Sequence, residues 1–145
     1  MSLNTLTYRT AFSADMNAME VLPVIDGSPL TALVTAFEVG RGWDPAGGYG
    51  GLFPTVFGLG SAAAYWLGEH PAGDRVFALG CECGEMACWP LAIEVATSSD
   101  TVGWQKFRQP YRSDRDYSAF GPFIFDRTQY EAAVASIAPL FERLP

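Results

Sequence analysis

Apolar and polar positions alternate from Thr5 to Phe12, where Leu6, Tyr8, Thr10 and Phe12 share one parity. A second β-prone run covers 20–25. Both patterns predict strands, the second weakened by Pro23, which has no N–H for a ladder. Asp26-Gly27 predicts a turn. Ser28 suits an N-cap and Pro29 the first helical position. Leu30, Leu33, Val34 and Phe37 recur at helical spacing, which predicts a short amphipathic helix over 29–38, closed by Gly40 in a left-handed conformation. Residues 40–60 read as a long Gly-rich connection, of the kind compact domains keep for functional or mobile segments. A short helix over 61–67, packing Tyr65 or Trp66, is expected next.

Three further apolar runs, 76–83, 89–95 and 101–107, are separated by Gly84-Glu85 and Ser98-Ser99-Asp100, and the last is stopped by Pro110. They predict an antiparallel meander. At the far end, Asp126 is an N-cap and Gln129, three residues on, completes a capping box. Phe125 and Tyr130 form the hydrophobic staple. Tyr130, Ala133, Val134 and Ile137 make one stripe, and Pro139 ends the helix near Ala138. The expected architecture is one α+β domain spanning 1–145. Its antiparallel sheet is built on the 75–107 meander, extended by the N-terminal strands and covered on one face by the helices at 29–38 and 127–138.

Composition narrows the function classes. The chain has 145 residues, 49% hydrophobic and 17% charged, so it can bury a core without staples. Its net charge is −7, and nine Lys and Arg cannot supply a sequence-blind nucleic-acid surface. Residues 1–100 carry three basic and eleven acidic side chains, and 101–145 carry six and five. Four cations, Lys106, Arg108, Arg112 and Arg115, crowd one short stretch. Met1–Thr10 lacks a charged start followed by an apolar run, so no signal peptide is expected. The uncharged window 45–68 is long enough to span a membrane but holds seven Gly and two Pro, which argues against a helix there. The expected location is the cytoplasm, with reduced thiols.

The candidate chemistry lies in Cys81, Cys83 and Cys88, a C-x-C-x4-C pattern. With His70, the single histidine, they could form a Cys3His zinc site. Sheet pleating argues otherwise. The apolar parities Phe77, Leu79, Cys81, Cys83 and Trp89, Leu91, Ile93, Val95 share a core face only if Cys83 lies opposite Trp89, with Glu85, Met86 and Ala87 as the loop. In that register Cys88 points away from its companions, which disfavours both a metal site and a Cys83–Cys88 disulfide. A bulge at Cys88 would undo this. The three cysteines are thus expected to be structural thiols, with metal and disulfide roles as alternatives.

Other chemistry is thinner. Gly58-Leu-Gly60-Ser-Ala-Ala63 matches a dinucleotide fingerprint on paper, but Pro54 spoils the strand it needs. His70 lies in a turn-like stretch without a nucleophile elbow. The pairs Glu82 with Glu85 and Asp114 with Asp116 suit solvated turns. No catalytic residue is assigned, no cofactor is expected, and an enzyme is the less favoured class. Arg and aromatic side chains do gather in 104–117. Trp104, Arg108, Gln109, Tyr111 and Arg112 are the candidate ligand-binding residues, suited to a carboxylate, a phosphate or an acidic partner segment.

Several segments carry a family resemblance: Leu79-Gly80-Cys81-Glu82-Cys83-Gly84-Glu85, Cys88-Trp89-Pro90-Leu91, Trp104 with Phe107 and Gln109-Pro110-x-Arg112, Gly121-Pro122-Phe123, and Phe125-Asp126-Arg127-x-Gln129-Tyr130. Together they resemble a family of small uncharacterised bacterial proteins with a CxCGExxCWPL hairpin and a WxxFxQPxR segment. That resemblance covers about 26–135 and implies one compact domain; it implies no reaction. The expectation is a non-enzymatic module that binds a small molecule or a protein, with a homodimer among the partners and neither nucleic acid nor membrane. The alternatives are a structural zinc protein using Cys81, Cys83, Cys88 and His70, and a small hydrolase or transferase using His70.

Overall fold

A computed structural model describes residues 3–69 and 75–141. The elements follow in the order β1 (Leu6–Ser13), β2 (Ala18–Ile25), β3 (Ser28–Pro29), α1 (Leu30–Gly40), β4 (Tyr49–Gly50), α2 (Pro54–Phe57), α3 (Ala62–Trp66), β5 (Arg75–Cys81), β6 (Leu91–Thr97), β7 (Thr101–Arg108), β8 (Phe123–Asp126) and α4 (Arg127–Ile137). The class is α+β with antiparallel strands. No helix among the described residues is long and apolar enough to cross a membrane.

The N-terminal strands do not extend the meander sheet, as the sequence suggests. They form their own sheet, β1-β2-β3, beside a five-stranded sheet ordered β4-β5-β6-β7-β8. Pro23 is tolerated in β2 because β3 reaches only Val24 and Ile25, leaving β1 as its ladder partner. The sheets are sewn together at two points. Val21 and Leu52 exchange backbone hydrogen bonds at 2.8 and 2.9 Å, and the Asn4 N–H donates to the Ile124 carbonyl at 2.7 Å.

Helix ends also depart from expectation. Ser28 does not cap α1; Pro29 precedes its first turn without a side-chain cap. Gly40 stays helical, and Gly42 instead takes the left-handed conformation, at φ 73°. In α4 the Asp126 side chain accepts from the Gln129 N–H, as predicted, and Phe125 meets Tyr130 at 5.4 Å between ring centres. Gln129 does not close a capping box, however. Its amide turns to β1, donating to the Leu6 carbonyl at 2.6 Å and accepting from the Leu6 N–H at 3.0 Å. A long-range peptide offers it a donor and an acceptor at once, which the cap cannot.

The core centres on aromatic rings. Trp66 of α3 stacks on Trp104 of β7 at 5.5 Å. The Trp104 indole donates to the Tyr130 hydroxyl at 2.9 Å, and that hydroxyl donates onward to the Trp66 carbonyl. This chain satisfies two buried polar groups inside an apolar cluster, where leaving either unpaired would cost about 1–3 kcal/mol.

Candidate thiolate metal centre

The register on which the sequence argument for separated cysteines depends does not occur. Strands β5 and β6 pair Arg75 with Glu94, Val76 with Ile93 and Phe77 with Ala92, then shift to pair Leu79 with Leu91. Cys83 therefore has no strand partner at Trp89, and residues 82–90 form the connection. The physical reason lies in burial. Strict alternation applies to a sheet with one wet face, but here Leu91, Ala92 and Ile93 are all buried in succession, as are Ala78 and Leu79. Consecutive residues of both strands are thus buried, and the irregularity between Phe77 and Leu79 shifts the pairing, so apolar parity alone did not fix the register.

Freed from the ladder, the connection folds back on itself. Cys81 ends β5, and its carbonyl accepts from the Gly84 N–H at 3.0 Å. Gly84 takes φ 97°, a left-handed turn that a side chain would strain. The Cys83 N–H points at the Cys81 sulfur, 3.4 Å away. The Glu85 carbonyl then accepts from the N–H groups of Cys81 and Cys88, at 3.3 and 3.4 Å. These turns bring the Sγ atoms of Cys81, Cys83 and Cys88 within 4.8 Å of one another. Cys81 is half-buried, and Cys83 and Cys88 are exposed. Burial pushes the Cys81 thiol up to about 11. Cys83 is pulled the other way, below the ordinary thiol range, chiefly by the Glu85 N–H facing its sulfur.

The donors suit a soft metal. Zinc–thiolate bonds of about 2.3 Å in a tetrahedron separate sulfurs by about 3.8 Å, so a closure of about 1 Å or less brings all three onto one ion. Three thiolates select thiophilic ions over hard ones such as Mg(II). His70, the fourth ligand considered from the sequence, lies outside the described residues.

The Gly-rich segment is the platform for this loop. Its β4 pairs Tyr49 with Cys81 and Gly50 with Gly80. A Cβ on Gly50 would meet the Cys81 carbonyl oxygen at 3.0 Å and the Glu82 Cα at 3.1 Å, so any side chain there would press the loop's backbone away by a few tenths of an ångström. The Glu82 N–H donates to the Gly48 carbonyl and the Trp89 indole to the Gly47 carbonyl, both at 2.9 Å.

The platform is itself pinned by a fully buried carboxylate, Glu38. It accepts from the Gly47 N–H at 2.7 Å and from the hydroxyls of Tyr49 and Tyr117. The Arg115 guanidinium lies 3.5 Å away, with its other nitrogen on the Pro45 carbonyl at 2.7 Å. Burial, followed by donation to Glu38, pushes the Tyr117 phenol up to about 12. Buried charges persist only when paired and hydrogen-bonded, and Glu38 is both. It follows Leu30 and Val34 at four-residue spacing on the buried face of α1. An acid on an apolar stripe was the sequence signal for this network.

The predicted ligand-binding residues do not converge. Trp104 is wholly buried in the core, and Gln109 is buried at 1% exposure, its amide donating to the Tyr49 hydroxyl at 3.5 Å. Arg108, Tyr111 and Arg112 remain exposed. Arg112 does reach the thiolate loop, its guanidinium 5.1 Å from the ring centre of Trp89, the residue after Cys88. Arg115 lies 5.9 Å from the same ring. Arg112 is thus an exposed cation beside the loop, whereas the charge of Arg115 is already paired with Glu38. No family model, curated protein or solved structure matches this chain.

Proposed function

We propose that this protein binds a thiophilic metal ion through Cys81, Cys83 and Cys88. The observation that carries this reading is the convergence of three sulfurs within 4.8 Å of one another, one at the end of β5 and two in the nine-residue connection (82–90) that follows it. Three soft donors supply most of a zinc-type ligand set. The Cys83 N–H aimed at the Cys81 sulfur is a donor to that sulfur's charged, metal-binding form.

Cd(II) titration of the reduced full chain, read by sulfur-to-metal charge-transfer absorption, tests this. One equivalent is expected to bind. Each of Cys81→Ser, Cys83→Ser and Cys88→Ser should weaken binding by about 100-fold or more, since a four-ligand site holds roughly 10–16 kcal/mol in all. Stoichiometry near zero in the wild-type chain, or unchanged affinity in Cys88→Ser, defeats the reading.

A second reading keeps the chain as a non-enzymatic binding module for an acidic small molecule or protein segment, with Arg108, Tyr111 and Arg112 as its contacts. It is favoured by Tyr111, 56% exposed beside the guanidinium stacked on Trp89. A pull-down in which a partner held by the wild-type chain is lost from the Arg108→Ala, Arg112→Ala double variant is its expected outcome; retention of every partner counts against it.

A further inference from the structure

We infer that the thiolate centre is an exchange site, which takes a thiophilic closed-shell ion from the thiolates of another molecule and passes it on to them. This rests on the metal-binding reading above. Structural metal sites are closed, and the fold around them is built by the ion. Neither property fits this loop. Cys83 and Cys88 are open to solvent, so an incoming ligand can reach a bound ion without unfolding anything.

The loop also has anchors other than its sulfurs. Glu82 and Trp89 donate to Gly48 and Gly47, and the Glu85 carbonyl collects the N–H groups of Cys81 and Cys88. The Met16 thioether, from the β1–β2 turn, packs against Gly84, 2.6 Å from where a Cβ would stand. The aromatic core of Trp66, Trp104 and Tyr130 is assembled by other elements. None of these contacts uses a cysteine sulfur, so neither the loop's anchors nor the core depends on metal ligation.

Transfer proceeds by ligand substitution. An acceptor thiolate forms one metal–sulfur bond, and the bond to Cys88 or Cys83 breaks. The released cysteine takes up the proton that the acceptor thiol gave to solvent. Repetition at the remaining sulfurs, Cys81 included, frees the ion with its oxidation state unchanged. The partner is identified by this chemistry as a molecule presenting two or more thiols.

The test uses the full chain loaded with Cd(II) and a small chelating dithiol as acceptor, with loss of Cd(II) from the protein followed by native mass spectrometry. The rate is expected to rise in proportion to dithiol concentration over a tenfold range. The stripped protein should keep its cooperative melt and its near-ultraviolet circular dichroism. A rate independent of dithiol, or unfolding of the stripped chain, would overturn the inference. Failure of the underlying metal reading shows separately, as a protein that carries no Cd(II) before dithiol is added.

Discussion

Replacing Glu38 by Ala is expected to lower the stability of the folded chain by about 3–5 kcal/mol, the range for breaking one side of a buried ion pair. The substitution removes the acceptor for Gly47, Tyr49 and Tyr117 and leaves the Arg115 guanidinium, 5% exposed at its side chain, without its carboxylate. Urea unfolding monitored by tryptophan fluorescence measures the loss. The paired variant Glu38→Leu with Arg115→Met separates charge from packing, because it removes both ions at similar volume. It should recover more than half of what Glu38→Ala loses. A loss below about 1 kcal/mol in the single variant would show that the pair is not a stability determinant. The effect reaches the thiolate loop as well. Glu38 holds Gly47, Gly47 holds the Trp89 indole, and Gly48 holds Glu82. Cd(II) affinity of the folded variant should fall for want of that platform.

Trp104→Ala is expected to cost about 3–5 kcal/mol, the range for large-to-small substitution of a buried aromatic. The cavity would lie between Trp66, Phe125 and Tyr130, whose rings pack on the indole at 5.5, 5.3 and 6.2 Å. Trp104→Phe should cost less, because it refills most of the space and forfeits mainly the donation to Tyr130. Denaturant melts give both numbers. Cd(II) affinity, measured where the variants are folded, should be unchanged, since the indole packs on Trp66, Phe125 and Tyr130 rather than on the platform that holds the loop. A Trp104→Phe variant that kept full stability yet lost metal or partner binding would return this residue to the ligand-binding set.

How much of this was legible in the chain differs from feature to feature. The α4 cap and staple are local: Asp126, Phe125 and Tyr130 lie within six residues, and their geometry follows from helix dimensions alone. The Ser98-Ser99-Asp100 turn is local in the same way, with the Ser98 hydroxyl accepting from the Asp100 and Thr101 N–H groups at 3.3 and 3.0 Å. The site was legible only as a list of donors. Their convergence depends on a strand register, and that register was set by partners far along the chain. Met16 against Gly84 had no signal in the sequence at all.

The α+β class, the antiparallel meander, the terminal helix and the presence of three soft donors within eight residues (88 − 81 + 1) were determined by the sequence itself, because each depends on spacing along one stretch of backbone. Whether those donors meet was decided by tertiary structure. An irregularity in the pairing of β5 with β6 removed the register that would have held the last sulfur apart, and a buried carboxylate far before the first cysteine, Glu38, fixed the glycine platform on which the loop closes.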